Sequence, residues 1–193
     1  MKTKVITAVF LLLAAPAIYA SSEGPNDPAS ASGTNWKHPT YTFSSDDTRA
    51  SYNNSLQDIM TITSYGFSSV LGTIDGIKIE IEGYGSSAFP PAGDQIDVAL
   101  TKNGSSPAGS WKTAATLPNG ISNEAYIVVG GPSDLWGTAW TPSEIQNANF
   151  GVLIRDTDAI ADNLSIDHVR VTIYFTMSGS GRRLKLLKLI SGD

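Results

Sequence analysis

Apolar residues in the middle of the chain recur at every second position. Ile77, Ile79 and Ile81 alternate with Lys78, Glu80 and Glu82, the pattern of a strand with one dry face and one wet face. Ile96, Val98 and Leu100 repeat it with Asp97, Ala99 and Thr101. Val169, Val171, Ile173 and Phe175 alternate with His168, Arg170, Thr172, Tyr174 and Thr176 and predict the clearest strand of all. Short apolar runs at 125–129 and 150–154 predict two more, and 55–62 and 65–71 are weaker candidates. Asp75-Gly76, Asn103-Gly104, Pro118-Asn119-Gly120 and Gly130-Gly131-Pro132 carry turn chemistry between them. Strands without helical partners predict an all-β fold, an antiparallel β-sandwich of jelly-roll type. One short helix interrupts it. Thr141-Pro142-Ser143-Glu144 places Thr at the N-cap, Pro at the first helical position and Glu three residues on, a capping box expected to open about two turns.

The two ends read differently. Lys2 and Lys4 precede an apolar run over 5–15, Pro16 breaks it and Ala20 closes it with a small residue. Residues 1–20 therefore predict a secretory signal peptide cut after Ala20, and a secreted or cell-surface protein. Residues 21–35 are rich in Ser, Pro, Gly and Asn without periodicity and predict a flexible lead-in. The sandwich is expected over 36–177 and a separate tail over 178–193. In that tail Arg182, Arg183, Lys185 and Lys188 interleave with Leu184, Leu186, Leu187, Leu189 and Ile190. Such a basic amphipathic segment is too short to span a bilayer, and is expected to dock on its own body, on a neighbouring copy or other surface protein, or, less favoured, on an anionic membrane surface. A disordered end is the bland alternative.

Composition narrows the chemistry. The 193 residues include no Cys, which excludes thiolate metal sites, a catalytic thiol, a lipid-anchored cysteine and disulfide staples. The chain carries a net charge of −5, an acidic balance that argues against nucleic acid as a partner. Removal of residues 1–20 would leave −7, unevenly spread: −10 over 21–178 and +3 over 179–193.

Several segments taken together resemble a domain of metagenomic bacterial and tailed-phage proteins. They are Asp46-Asp47-Thr48 with Ala50, Tyr65-Gly66-Phe67 followed by residues 74–80, and Val98-Ala99-Leu100-Thr101-Lys102-Asn103-Gly104. Gly131-Pro132-Ser133-Asp134-Leu135-Trp136-Gly137, Trp140-Thr141-Pro142, Asn149-Phe150-Gly151-Val152 and the closing run 167–174 complete the likeness, which covers most of 36–175. The resemblance implies a jelly-roll sandwich on a surface-exposed or virion-associated protein, and implies no activity.

Catalytic constellations are weak. Asp167 and His168 are adjacent, but neighbours on a regular strand point to opposite faces and cannot pair. His38 is the only other histidine, so a histidine zinc site is not expected. Gly83-Tyr84-Gly85-Ser86-Ser87 lacks the spacing of a nucleophile elbow. Glu80 and Glu82 share a strand face, which suits a glycosidase pair but more simply makes the wet side of that strand. No enzyme is predicted. Asp156, Asp158 and Asp162 cluster in one loop and could hold calcium, the one cofactor the chain suggests; the plainer reading is an acidic surface turn. Tyr84 and Phe89, in a loop over 83–93, are the better candidate sugar-stacking aromatics; Trp136 is a further candidate, for which core or end-plug packing is the favoured reading. The favoured reading is a non-enzymatic structural, adhesion or surface-assembly module that docks through its tail. The alternative is a carbohydrate-binding module using loop aromatics and calcium.

Overall fold

The computed structural model describes residues 18–52, 58–86, 95–113, 116–157 and 163–178. Ten strands form two five-stranded antiparallel sheets. They are β1 (Ile18–Asn26), β2 (Ser30–Gly33), β3 (Ala50–Tyr52), β4 (Met60–Thr63), β5 (Thr73–Ser86), β6 (Ile96–Thr101), β7 (Lys112–Thr113), β8 (Ala125–Gly130), β9 (Gly151–Asp156) and β10 (Asn163–Ser178). One sheet runs β1-β10-β5-β8, with β3 paired to β10 on the edge that β1 also uses; the other runs β2-β4-β9-β6-β7. From β4 to β10 the chain crosses repeatedly between the sheets. This is the predicted antiparallel sandwich, with α1 (Pro142–Ile145) as its one α-helix among the described residues.

The alternation places the core. Ile77, Ile79 and Ile81 of β5 and Val169, Val171 and Ile173 of β10 are all fully buried. They meet Met60 and Ile62 of β4, Ile96, Val98 and Leu100 of β6, and Val152 and Ile154 of β9 in one cluster. Burying such side chains is the main favourable term for a chain without disulfides.

Three expectations are corrected by the backbone. The lead-in at 21–35 is not a loose segment: it supplies most of β1 and all of β2. Both are edge strands with mostly exposed side chains, small or polar apart from Ile18 and Tyr19, so no face is dry enough to leave an alternating pattern. In the uncut chain Ala20 and Ser21 are consecutive residues of β1, and Ser21, Ser22, Glu23 and Asn26 pair with β10. Asp75-Gly76 is not a turn but a bulge inside β5, where Tyr174 faces Gly76 and Phe175 faces Ile74. A Cβ at Gly76 would lie 2.3 Å from the Gly131 carbonyl, so that glycine serves close approach. Asn103-Gly104 opens a wide loop rather than a two-residue hairpin: the Asn103 carboxamide oxygen accepts from the Ser105 and Ser106 amides, and β7 returns to β6 only at Lys112. Of the weaker candidates, 55–62 yields β4 at its end, while 65–71 contains no strand.

The helix is a single turn. Its capping box is complete: the Thr141 hydroxyl accepts from the Glu144 amide, and the Glu144 carboxylate accepts from the Thr141 amide. Lys102 pairs with Glu144 and tethers the helix to the loop after β6. Trp140 packs edge-on against Phe150 and donates its indole N–H to the Leu135 carbonyl, closing that end of the core.

Ile79 sits at the centre of the longest strand pair. Ile79→Ala is expected to cost about 2–5 kcal/mol, the range for truncating a buried aliphatic side chain, read as a lower denaturant midpoint at unchanged slope. A cost below about 0.5 kcal/mol would contradict this core.

Candidate functional site

The outer face of the β1-β10-β5-β8 sheet carries the densest chemistry. Cross-strand register sets it out in rows: Tyr126–Glu82–His168, then Val128–Glu80–Arg170, then Gly130–Lys78–Thr172. Glu80 takes both neighbouring cations, Lys78 Nζ at 3.0 Å and Arg170 Nη2 at 3.3 Å. Burial opposes its ionisation, but the hydrogen bonds from Lys78 and Arg170 outweigh it and hold the carboxyl below its ordinary value. Arg170 lies over the Tyr126 ring, 4.4 Å from its centroid. Three polar atoms of this face are buried without a hydrogen-bond partner: Glu82 Oε2, Arg170 Nε and Thr172 Oγ1.

His168 is buried within this face. Its Nδ1 is hydrogen-bonded to the Tyr126 hydroxyl at 2.8 Å and its Nε2 to Asp27 Oδ1 at 2.9 Å. Burial first, and the Glu82 carboxylate beside it next, push the Tyr126 phenol up. Asp27 comes from the turn between β1 and β2, so the edge strands that left no sequence pattern are what close over the histidine.

Asp167 departs from the regular alternation. The register slips between Ile166 and His168, so Asp167 is the extra residue of a bulge and escapes the opposite-face rule. It still does not pair with His168. Its Oδ2 accepts from the Asp47 amide at 3.2 Å, while Oδ1 is buried without a partner. One carboxylate oxygen each from Asp47, Glu124 and Asp167 lies within 4.8 Å of the others. Arg49 binds this group: its Nε donates to Glu124 Oε1 at 2.8 Å, its Nη2 to Asp47 Oδ1 at 2.8 Å and also to Glu124 Oε2, and its Nη1 to the Asp47 carbonyl at 2.6 Å. The Glu124 hydrogen bonds hold the guanidinium protonated still more firmly than usual. Burial, opposed by the Asp47 and Asp46 amides and assisted by Glu124 and Glu82, pushes the Asp167 carboxyl up.

The sequence-derived candidates scatter. Tyr84 reaches this face, but from within β5 rather than from a loop, half-buried and 5.6 Å from the Arg49 guanidinium. Phe89 lies outside the described residues. Trp136 is 1% exposed, which corrects its place among ligand-binding aromatics. Its backbone has φ +60°, held by its amide donating to Asp134 Oδ1 at 2.9 Å. Its indole N–H donates to the Ile77 carbonyl at 2.9 Å, which pins the 131–137 loop to β5. Asp156 is fully buried at the end of β9, not on an acidic surface turn. Asp158 and Asp162 lie outside the described residues, as does the whole tail from Arg182 to Ile190. No helix among the described residues is long and apolar enough to cross a membrane.

No family model matches the chain, and no curated protein matches it. Solved structures align with this chain at a distance. A chitosan-binding module of a chitosanase/glucanase from Paenibacillus sp. IK-5 aligns at TM-score 0.41 and 14% identity, over 77% of this chain and 98% of that one. A family 29 carbohydrate-binding module aligns at 0.39 and 8% identity, over 88% and 99%. TmCBM61, solved with β-1,4-galactotriose, aligns at 0.36 and 8% identity, over 80% and 86%.

The raised Asp167 carboxyl has a stability signature. The folded chain keeps that proton to higher pH than the unfolded chain, so ionisation through this window penalises the fold. In chelator-treated, cation-free buffer, Asp167→Asn is expected to raise the melting midpoint at pH 7. The advantage should vanish as pH falls through the ordinary carboxylate range. A difference that stays constant over pH 4–8 would remove burial of the charge as its cause.

Proposed function

We propose that the chain is a non-catalytic binding module and that the outer face of the β1-β10-β5-β8 sheet takes a carbohydrate. The observation that carries this reading is the Lys78–Glu80–Arg170 ladder, whose partly exposed side chains reach solvent beside the Tyr126 ring. A sugar presents adjacent hydroxyls that both donate and accept, and a carboxylate next to a guanidinium and a hydroxyl meets that pattern. The side chains stand on the two longest, most internally paired strands, so little order has to be gained on binding. The described residues enclose no pocket, and a ligand on this face would lie across strands.

His168 supports a binding rather than a catalytic role. Both its nitrogens are engaged, one with Tyr126 and one with Asp27, and no serine or other nucleophile hydrogen-bonds it among the described residues. An exported, glycan-binding module fits the leader-like residues 1–20 and the cysteine-free, acidic body.

Affinity electrophoresis of the purified chain through gels of soluble polysaccharides, followed by calorimetry on any that retard it, tests this reading. Arg170→Ala and Glu80→Gln are each expected to weaken binding by about tenfold or more, the range for leaving a charged hydrogen-bond partner unmet. Loss of retardation in neither variant, or no retardation by any polysaccharide, would overturn it.

A further inference from the structure

Three carboxylates from distant parts of the sequence meet at one corner of this sheet, where the segment before β3, the start of β8 and the β10 bulge come together. Arg49 supplies a single positive charge there. Its donors go to Glu124 and Asp47, and none of them hydrogen-bonds Asp167. Asp167 is 2% exposed and its Oδ1 has no partner. With all three carboxylates ionised, the described residues of this corner would carry two more negative charges than positive ones, and one of the oxygens is sealed from water. A buried ionised carboxylate demands a counter-charge or a proton.

We propose that Asp47, Glu124 and Asp167 bind one divalent cation of the calcium class. The donor set is oxygen only, which suits a hard cation and not zinc. Oxygens within 4.8 Å of one another leave a central ion about 2.8 Å or less from each, so a small side-chain adjustment reaches the calcium–oxygen range of about 2.3–2.6 Å. Asp47 is open to solvent, with its side chain 89% exposed, so the site has an entry path and room for water ligands on that side. Glu124 would share its carboxylate between the ion and Arg49. The ion would join β8 to β10 across the end of β5 and fix the loop that carries Asp46 and Asp47 against the sheet. These residues are not the 156–162 cluster that loop spacing suggested.

Calorimetric titration of calcium chloride into chelator-treated full-length protein, with no glycan present, tests this independently of the carbohydrate reading. One ion per chain is expected, with a melting midpoint that rises with calcium concentration. Asp167→Asn and Asp47→Asn should each weaken binding ~10-fold or more, because affinity follows the count of charged ligands. Asp47 is exposed and its replacement leaves the core intact, so that variant decides the matter should Asp167→Asn fail to fold. Absence of heat and of any midpoint shift up to about 10 mM calcium would overturn the proposal, leaving Arg49 as the counter-charge that the described residues supply. Binding that persists unchanged in Asp47→Asn would overturn it too, by placing the ion elsewhere.

Discussion

Everything else in this molecule depends on the register between β5 and β10. Once Ile79 faces Val171 and Ile81 faces Val169, period-two alternation sends one set of side chains into the core and the other onto the outer face. A slip by one residue would put Glu80, Glu82, Arg170 and His168 inside. The two bulges do not relax this constraint. Each absorbs a single residue, Asp75 in one strand and Asp167 in the other, and lets the alternation resume in phase. The same pairing thus builds the core and, at its interruptions, frees particular side chains to do something else.

The ion pairs of the outer face add little stability as isolated contacts, since partly exposed pairs contribute about 0–1 kcal/mol. Their value is positional. Glu80 holds Lys78 and Arg170 in place together, Arg170 in turn covers Tyr126, and Tyr126 is hydrogen-bonded to His168. A network on rigid strands keeps its donors and acceptors aimed without a ligand present. Trp136 plays the matching role on the inside, where its indole N–H and the Asp134 side chain reinforce the backbone hydrogen bonds that join its loop to Ile77 of β5.

The sequence revealed the parts of the fold that bury one face. Strands β5, β6, β8, β9 and β10 follow from alternation or apolar runs, and the capping box marks α1 because it is a local device. Strands β1 and β2 leave no such trace: Ser30, Ala31 and Ser32 are small, and their pairing is decided by β4 across the gap rather than by their own burial. The site was legible only in pieces. The charged alternation of 78–82 and 168–172 named most of its residues as a wet face, and Tyr84 was singled out for its aromatic ring. What adjacency in sequence could not show is that Asp27 reaches His168, or that Asp47, Glu124 and Asp167 converge, because these contacts span up to 141 residues. For Trp136 the sequence favours core or end-plug packing, which its burial bears out, while its place among the ligand-binding aromatics fails. A tryptophan between Leu135 and Gly137 reads as a loop residue, and nothing in that stretch announces a left-handed backbone that turns the ring inward.

The first and last described strands lie side by side, with Ile18 opposite Ser178. Whatever is joined to the chain upstream or downstream therefore departs from the same pole of the sandwich. The Asp167 bulge sits some eleven residues back along β10, roughly 35 Å away at the rise of an extended strand. A tether at either terminus would hold the protein by its foot with the acidic corner at the far tip. Circular permutation joining the two ends would need only a short linker and would leave that tip untouched.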